Sequence, residues 1–415
     1  MVNSRDVKKV TEEVLKSIKP DEKPLIIAQK FISRLNKLLL ENNISAKAVL
    51  GGSMAKNTFL KNDFDADVFV KFDTKYKGRD ISKLLKDILI NNFEFEVVRG
   101  SRDYFHVFEK ILFELIPVLD VSRIEDAENV IDMSPLHVEY FKRKGKGLED
   151  EVRLLKQFMK ANRVYGAESF VNGFSGHVVD LLVIKYGSFL NVLKASLKWS
   201  NIVVIDLERK LKDPLMELDK SKISGPLVIV DPVQDARNAA AALGFDCFNS
   251  FIKSAKSFLN APTINFFEKE SAYDIIIKKK RDEDLFEFLV EPLRGNDDIA
   301  GTKILKVLEF INNKLKFFDF TVSDFEWDFG RPSHAYFLIE RGKLNPVKVV
   351  RGPPIRVKSH CDAFKSKHND VFEKDGFLYA NIKRDFVHAK DALKNIIEDE
   401  YVKSRVKNIS FKLKT

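Results

Sequence analysis

The chain has 415 residues, of which 45% are hydrophobic, so it is long enough for two or three globular domains and too apolar to be disordered. Its net charge of +9 favours a polyanionic partner such as nucleic acid, while two distant cysteines, Cys247 and Cys361, indicate neither a disulfide framework nor a zinc site. No apolar signal segment or membrane-length apolar run is visible, so we predict a cytoplasmic protein without membrane contact.

The first region, residues 1–147, is predicted to be a mixed α/β head. Its opening segment, to about residue 45, has helical spacing of apolar residues, and Glu41-Asn42-Asn43 marks the end of this helical pattern. Alternating and continuous apolar runs further along predict strands. The expected strands are 46–50, 67–72 and 111–118, and the expected helices after the opening segment are 54–59 and 81–90.

The second region, 148–262, is predicted to be mainly helical. Residues 149–166 form an amphipathic pattern whose second face carries Arg153, Lys156 and Lys160. Helical periodicity continues over 177–199. A strand is expected in PLVIVDPV, and a further helix over 235–259.

The third region, 263–415, contains short apolar runs and ends in the basic segment YVKSRVKNISFKLKT. Basic segments of this kind suit contacts to a phosphate backbone. We therefore predict an α+β fold overall, in which the head and the helical region are followed by an α+β RNA-binding region.

The most informative stretch is 51–70, GGSMAKNTFLKNDFDADVFV. Asp65 and Asp67 are two residues apart in a predicted strand, so they should project from the same face, and Asp63 shares their register. Two carboxylates on one face are suited to binding a hard divalent cation through oxygen.

A glycine turn precedes these carboxylates. Gly51 and Gly52 permit a tight turn with close backbone approach, and Ser53 and Lys56 can offer hydrogen bonds and positive charge to a phosphate. Either motif alone is weak, because alternating aspartates are also common in solvated turns. Together, in strand–turn–helix–strand order, they predict a site for a metal–nucleotide complex.

A third carboxylate usually completes such a site. Glu114 is the candidate, because it is the one charged residue in the apolar run ILFELIPVL and a glutamate in a buried strand must be paired or ligated. The alternative, that Glu114 faces solvent from an edge strand, stays open.

GGSMAKNT followed by DADVFV resembles the signature of the DNA polymerase beta nucleotidyltransferase superfamily. Four longer segments in order resemble the archaeal class I CCA-adding enzymes, the tRNA nucleotidyltransferases. They are SPLHVEYFK, EVRLLKQFMKANRVYGAES, NGFSGHVVDLLVIKYGSFL and VDPVQDARNAAAAL. The resemblance is dense from about residue 49 to 260 and thinner beyond.

The resemblance implies roles for individual residues. Asp65 and Asp67 match the two metal-binding carboxylates of the family, and Glu114 stands where a third, usually Asp, is found. The nucleotide-binding positions match Ser53, Lys56, His137, Lys156, Tyr165 and Arg237, the last being an arginine that reads the base edge. Accessory positions are Gly52, Thr58 and His106.

Two of these positions depart from the family pattern. Glu114 is one methylene longer than the usual Asp, so the ion near the primer hydroxyl could be held differently. Lys56 replaces a frequent Arg and cannot make a bidentate phosphate contact.

Purely structural explanations also stand for four positions. Lys156 could cover a solvated helix face, and Tyr165 could be a core residue. His137 could lie at the surface end of a helix, and Arg237 could pair with Asp235.

The resemblance implies template-independent addition of CCA to tRNA from CTP and ATP, with two Mg²⁺ ions and release of pyrophosphate. The expected partner is the 3′ end and acceptor stem of tRNA, and a homodimer is left open. The alternatives are another nucleotidyltransferase, such as a poly(A)-adding enzyme, and a catalytically decayed RNA-binding relative.

Overall fold

The computed structural model describes residues 4–234 and 236–414. The chain divides into two compact units, Met1–Lys269 and Glu270–Thr415. The predicted boundary at residue 148 lies inside the first unit and stays a prediction. Within the described residues, no helix is both long enough and apolar enough to cross a membrane.

The first half of unit 1 is built on a five-stranded mixed sheet with strand order β1-β2-β5-β4-β3. Strand β5 is central and runs parallel to β2 but antiparallel to β4. The strands are β1 Ala46–Leu50, β2 Ala66–Phe72, β3 Phe95–Val98, β4 Tyr104–Phe108 and β5 Leu112–Leu119. The helices are α1 Ser4–Ile18, α2 Lys23–Glu41, α3 Gly52–Ala55 and α4 Ile81–Leu89.

The two faces of β2 have different partners, as the period of two in a strand requires. Val68, Val70 and Phe72 are buried with apolar residues of α2 and α4 in one core. Asp67 and Phe69 project from the other face, where Phe69 packs against Val138. The candidate site therefore lies on the face of the sheet opposite these two helices.

The second half of unit 1 is mainly helical, and α1 packs into its core. A two-stranded parallel sheet, β6 with β7, is inserted between the helices. The elements are α5 Ser134–Lys144, α6 Glu149–Ala161, α7 Gly176–Tyr186, α8 Phe189–Ser196, β6 Val203–Asp206, α9 Pro214–Glu217, β7 Leu227–Val230 and α10 Phe245–Asn260.

Three sequence-based expectations are corrected here. The helix predicted over 54–59 is the short α3, which ends at Ala55. The run 177–199 is two helices, because Gly187 adopts a left-handed φ of 80° and Ser188 caps the second helix. The helix predicted over 235–259 begins only at Phe245.

Asn238 explains the late start of α10. Its buried side chain accepts hydrogen bonds from the backbone N–H groups of Ile229 and Ala240, each at 2.9 Å, and donates to the carbonyl of Lys222 at 2.7 Å. Asparagine side chains that bind the backbone in this way compete with helix formation. The alanine-rich segment 239–242 consequently forms turns beside β7.

Unit 2 contains a four-stranded sheet ordered β14-β8-β10-β9 and a three-stranded sheet ordered β11-β13-β12. The basic C-terminal segment forms β14, paired with β8. The elements are α11 Ala272–Lys279, β8 Asp284–Pro292, α12 Asp297–Phe317, β9 Val322–Asp328, β10 Ser333–Ile339, β11 Val347–Pro354, α13 Lys358–Lys367, β12 Val371–Lys374, β13 Phe377–Lys383, α14 Ala389–Ile397, α15 Glu400–Lys403 and β14 Val406–Lys414.

Candidate active site

The carboxylates meet on the open face of the head sheet. Asp67 in β2 lies directly opposite Glu114 in β5, and Glu114 lies opposite His106 in β4, with Nε2 to Oε2 at 3.8 Å. Residues directly opposite in neighbouring strands share a face. Because β5 is the central strand, the alternative that Glu114 belongs to an edge strand is wrong.

Two of the aspartates differ from the sequence-based geometry. Strand β2 begins at Ala66, so Asp65 immediately precedes the strand. Asp63 is outside it as well, and its carboxylate binds Lys160 Nζ at 2.7 Å. Asp63 is thus neutralised by a lysine, and the resemblance assigns it no metal-binding role.

The negative charge on this face perturbs both remaining aspartates. Burial, followed by the neighbouring charges of Glu114 and Asp65, raises the pKa of Asp67 to about 7. Burial and Glu114 also raise the pKa of Asp65. Burial and like charges make it unfavourable for these carboxylates to ionise. A hard cation bound by their oxygens would offset that cost, so the site is suited to one.

The glycine turn is fitted closely around Asp67. Gly51 donates its N–H to the Asp67 carbonyl at 2.8 Å. Gly52 has a left-handed φ of 49°, and a Cβ on it would lie 1.6 Å from Asp67 Oδ2. Only glycine therefore brings the backbone of Ser53 this close to the carboxylate.

We expect Gly52→Ala to lower the nucleotidyl transfer that the resemblance implies by about 100-fold or more, because the new methyl group must displace the Asp67 carboxylate. Steady-state kinetics on the folded variant measures this effect.

Gly78→Ala is the matched control for that substitution. Gly78 has a similar left-handed φ of 78°, but a Cβ there meets nothing within 4 Å. It should cost about 1 kcal/mol of stability and leave activity unchanged. Equal losses of activity in both variants would show that backbone strain, rather than the clash with Asp67, is responsible.

Two lysines lie beside the turn, and both are held by buried partners. Lys56 forms an ion pair with Asp180 of α7, whose side chain is 4% exposed. Lys156 of α6 is buried and donates from Nζ to the Thr58 carbonyl at 3.0 Å. The alternative of a solvated helix face for Lys156 is therefore wrong.

Other predicted positions cluster around the same turn. Thr58 is fully buried and donates its N–H to the Ser53 carbonyl at 2.8 Å. Tyr165 packs against the helical core, and burial raises the pKa of its phenol. The explanation that Tyr165 is a core residue thus has a structural basis. Its hydroxyl oxygen lies close to Gly176, where an added Cβ would be 3.0 Å from that oxygen.

His137 and Arg237 meet at a carboxylate that the sequence did not single out. His137 Nε2 lies 2.9 Å from Asp231 Oδ2, and Arg237 Nη1 donates to the same oxygen at 2.8 Å. The exposed-histidine alternative is wrong, since the His137 side chain is only 15% exposed. The expected alternative partner of Arg237, Asp235, lies outside the described residues.

His177 completes this cluster, with its Nε2 3.6 Å from Asp231 Oδ2 and its ring centroid 4.1 Å from that of His137. Ligand atoms of His137, His177 and Asp231 lie within 4.8 Å of one another, close enough to share a cation. Arg237 already neutralises the carboxylate, however, so a cation here would compete with the guanidinium. Among the described residues, Asp65, Asp67 and Glu114 do not form so tight a group.

Sequence reasoning missed Asp180, His177 and Asp231. Asp180 and His177 are one turn apart on α7, a helix whose other buried positions are apolar. Asp231 directly follows the fully apolar strand β7. An isolated polar residue in an apolar run was the available signal, and it was used only for Glu114.

This sheet, turn and carboxylate pair define a nucleotidyltransferase head. Residues 32–130 match the family described as "Nucleotidyltransferase domain". The fold is similar to the solved structure of a cytoplasmic RNA terminal U-transferase, with a TM-score of 0.51 and 14% identity, covering 64% of this chain and 99% of that chain.

Residues 150–268 match the family described as "tRNA nucleotidyltransferase, second domain". The chain is 35% identical over 343 residues to the CCA-adding enzyme of Nanoarchaeum equitans, covering 81% of this chain and 84% of that protein. It is 30% identical over 426 residues to the CCA-adding enzyme of Methanocaldococcus jannaschii, covering 94% and 91% respectively. The chain belongs to the CCA-adding enzyme family.

Proposed function

We propose that this chain completes the 3′ end of tRNA by adding C, C and A from CTP and ATP without a nucleic-acid template. The observation that carries the proposal is the pairing of Asp67 with Glu114 beside the Gly51–Ser53 turn, in a chain of this family. In each step the 3′ oxygen of the RNA forms a bond to the α-phosphorus of the nucleotide. The bond from that phosphorus to the bridging oxygen breaks, and pyrophosphate leaves.

Asp65, Asp67 and Glu114 would hold the divalent cations, proposed to be two Mg²⁺. The donor set fits, because it offers only carboxylate oxygen, the ligand type that Mg²⁺ prefers, and because burial and neighbouring negative charge raise the pKa of both aspartates. When bound, such ions acidify an attacking hydroxyl and neutralise phosphate charge. The longer Glu114 side chain is proposed to retain this role.

The positive groups beside the turn are proposed to bind the triphosphate. Ser53 and Tyr165 offer hydroxyl donors, while Lys56 and Lys156 offer charge at positions set by Asp180 and Thr58. Charge held in place before the reaction stabilises the leaving pyrophosphate without reorganisation.

Arg237 and His137 are proposed to contact the base. A guanidinium has only donors, which suit the acceptor edges shared by C and A. A wrong base would leave buried polar groups unpaired, which discriminates strongly.

Unit 2 is proposed to hold the tRNA, through phosphate contacts from basic residues such as those of β14. A homodimer also remains a proposal. Light scattering with and without tRNA measures its mass.

The test uses a tRNA transcript lacking CCA, with Mg²⁺ and each nucleotide singly, then CTP with ATP. Sequencing the 3′ ends should show two C residues with CTP and one A when ATP is added. A long homopolymer would instead support the poly(A)-adding alternative. No extension by folded protein that binds tRNA would support the decayed relative.

A pH dependence is expected from Lys156. Burial, partly offset by Asp180, lowers the pKa of Lys156 to about 8, so its charge is present below that pH and lost above it. The kcat/KM for CTP should therefore fall by about tenfold between pH 7 and pH 9, relative to Lys156→Arg, which stays charged. A constant ratio of the two variants across this range would contradict a role for the Lys156 charge.

A further inference from the structure

Asp231 joins the site to the loop that follows β7. It directly follows that strand, its side chain is fully buried, and its backbone N–H donates to the Arg237 carbonyl at 3.0 Å. Its Oδ1 accepts from the backbone N–H of Val233 at 2.9 Å and from that of Gln234 at 3.3 Å. The carboxylate thus fixes the loop from which Arg237 projects.

The same carboxylate gathers side chains from three elements. Its Oδ2 accepts from Arg237 Nη1 at 2.8 Å and contacts His137 Nε2 of α5 at 2.9 Å, with His177 Nε2 of α7 at 3.6 Å. Burial alone would raise the pKa of Asp231, but the contact with His137 and the nearby His177 hold it well below its usual range. The group therefore remains an anion that Arg237 and His137 contact directly.

Among the described residues, Arg237 is the permanently charged cation that contacts the Asp231 carboxylate. Burial lowers the pKa of His177, and its buried Nε2, 3.6 Å from Asp231 Oδ2, has no hydrogen-bond partner among the described residues. Asp180, one turn further along α7, forms an ion pair with Lys56. Removing the Asp231 charge would consequently take away the carboxylate that holds the guanidinium.

Arg237 is only partly used by this contact. Nη1 points at Asp231, while the side chain as a whole is 37% exposed, against 0% for the Asp231 side chain. A guanidinium carries five N–H donors in a rigid fork, so donors remain for a second partner once one nitrogen is tied. Nη1 of the guanidinium is anchored by Asp231, and its other N–H donors are available to a second partner.

We propose that Asp231 is a positioning residue that anchors the Arg237 guanidinium so that its free donors read the base of the incoming nucleotide. The inference rests on the proposed role of Arg237 in nucleotide binding. Asp231 itself does not touch the nucleotide. It contributes by preorganising a long, flexible side chain that would otherwise have to be ordered on each binding event.

Asp231→Asn is the first test, because it preserves shape and removes the charge. Its amide would present a donor to the guanidinium or leave only one acceptor. We expect the KM for CTP and for ATP to rise by roughly tenfold while kcat changes little, and discrimination against UTP to weaken. A purely structural role would lower the amount of folded enzyme without changing KM or base discrimination.

Asp206→Asn is the matched control. Asp206 ends β6, opposite Val230, and accepts a hydrogen bond from the backbone N–H of Leu211 at 3.0 Å. It is an aspartate at the same edge of the same small sheet, but it contacts neither Arg237 nor His137 in the described structure. Its KM values should equal those of the unaltered enzyme.

The double-mutant cycle with Arg237→Ala decides whether Asp231 acts through Arg237. If it does, adding Asp231→Asn to Arg237→Ala should raise KM for CTP little further, because the anchored group is already gone. Effects that multiply, or a normal KM in Asp231→Asn beside a raised one in Arg237→Ala, would overturn the proposal. A normal KM in Arg237→Ala would instead refute the proposed role of Arg237 itself.

A second variant covers failure of Asp231→Asn to fold. Arg237→Lys keeps the charge but loses the rigid fork, so it no longer holds one set of donors on Asp231 while directing another at the base in a fixed geometry. Its KM for CTP should rise nearly as much as that of Arg237→Ala. A KM equal to that of the unaltered enzyme would overturn the anchoring proposal.

Discussion

Asparagine in place of Asp67 is expected to abolish nucleotide addition while making the metal-free protein more stable at pH 8. The loss should be about 10³-fold or more, because Asp67 is the proposed cation ligand that pairs directly with Glu114. Single-turnover addition of one C residue to tRNA measures the loss without interference from product release.

The gain in stability follows from the pKa of Asp67. Its value is about 7 in the folded chain, above the ordinary 3.8, so the folded state binds the proton more tightly than the unfolded state. Stability is then lost as pH rises from about 4 through 7, and the full cost is present at pH 8. Asparagine avoids that cost, on the order of 4 kcal/mol.

Urea unfolding of the two proteins at pH 8 and pH 4 tests this account. The advantage of Asp67→Asn should be large at pH 8 and should vanish at pH 4, where Asp67 is protonated. Mg²⁺ should stabilise the unaltered protein more than the variant.

Asp63→Asn is the control for the same pair of measurements. Asp63 lies four residues away and is bound by Lys160, so both its activity and its pH-dependent stability should be near normal. Retained activity in Asp67→Asn would contradict the assigned role.

Local patterns predicted three of the five strands of the head sheet, whereas β3 and β4 were not predicted. The strand over 46–50 was predicted at its observed bounds, and the strands containing Asp67 and Glu114 within one residue. Each of these strands is a short apolar run bounded by turn residues, and Glu114 stood out because a charge in such a run needs a partner. The superfamily resemblance came from GGSMAKNT and DADVFV in the head, whereas the resemblance to CCA-adding enzymes came from four segments within residues 134–243.

The cluster around Asp231 could not be predicted in this way. His137 and Asp231 are 94 residues apart, so their contact depends on the packing of α5 against the end of β7. Periodicity predicts which face of a helix is apolar, but it does not predict which distant residues pack against the polar face. The same limit explains Arg153, which was expected on a polar face of α6 and is 1% exposed.

Replacing Arg153 by methionine is expected to cost about 3–5 kcal/mol of unfolding free energy. Its guanidinium donates from Nε to the Phe59 carbonyl at 3.1 Å and from Nη2 to Asn57 Oδ1 at 2.7 Å, and it pairs with Asp150. Methionine fills a similar volume but leaves the buried Phe59 carbonyl without its donor and removes the part-buried contacts to Asn57 and Asp150. The loss of unfolding free energy is obtained from the midpoint and slope of the urea unfolding transition.

Activity should fall as well, because the residues that Arg153 holds are the end of the turn that carries Lys56. Asn57 has a left-handed φ of 52°, a conformation that needs support from outside the turn. Loosening it should raise the KM for CTP by roughly tenfold in the folded fraction. Assays at a temperature well below the unfolding transition separate this effect from lost protein.

Arg34→Met is the matched control for Arg153→Met. Arg34 also pairs with a carboxylate, Glu109 at 3.1 Å, and also donates to a backbone carbonyl, that of Asn92 at 2.9 Å. Its side chain is 53% exposed, however, so water replaces the lost partner and the cost should be about 1 kcal/mol or less. Equal losses of unfolding free energy for the two substitutions would show that the burial of Arg153 against the 57–59 turn adds nothing to stability.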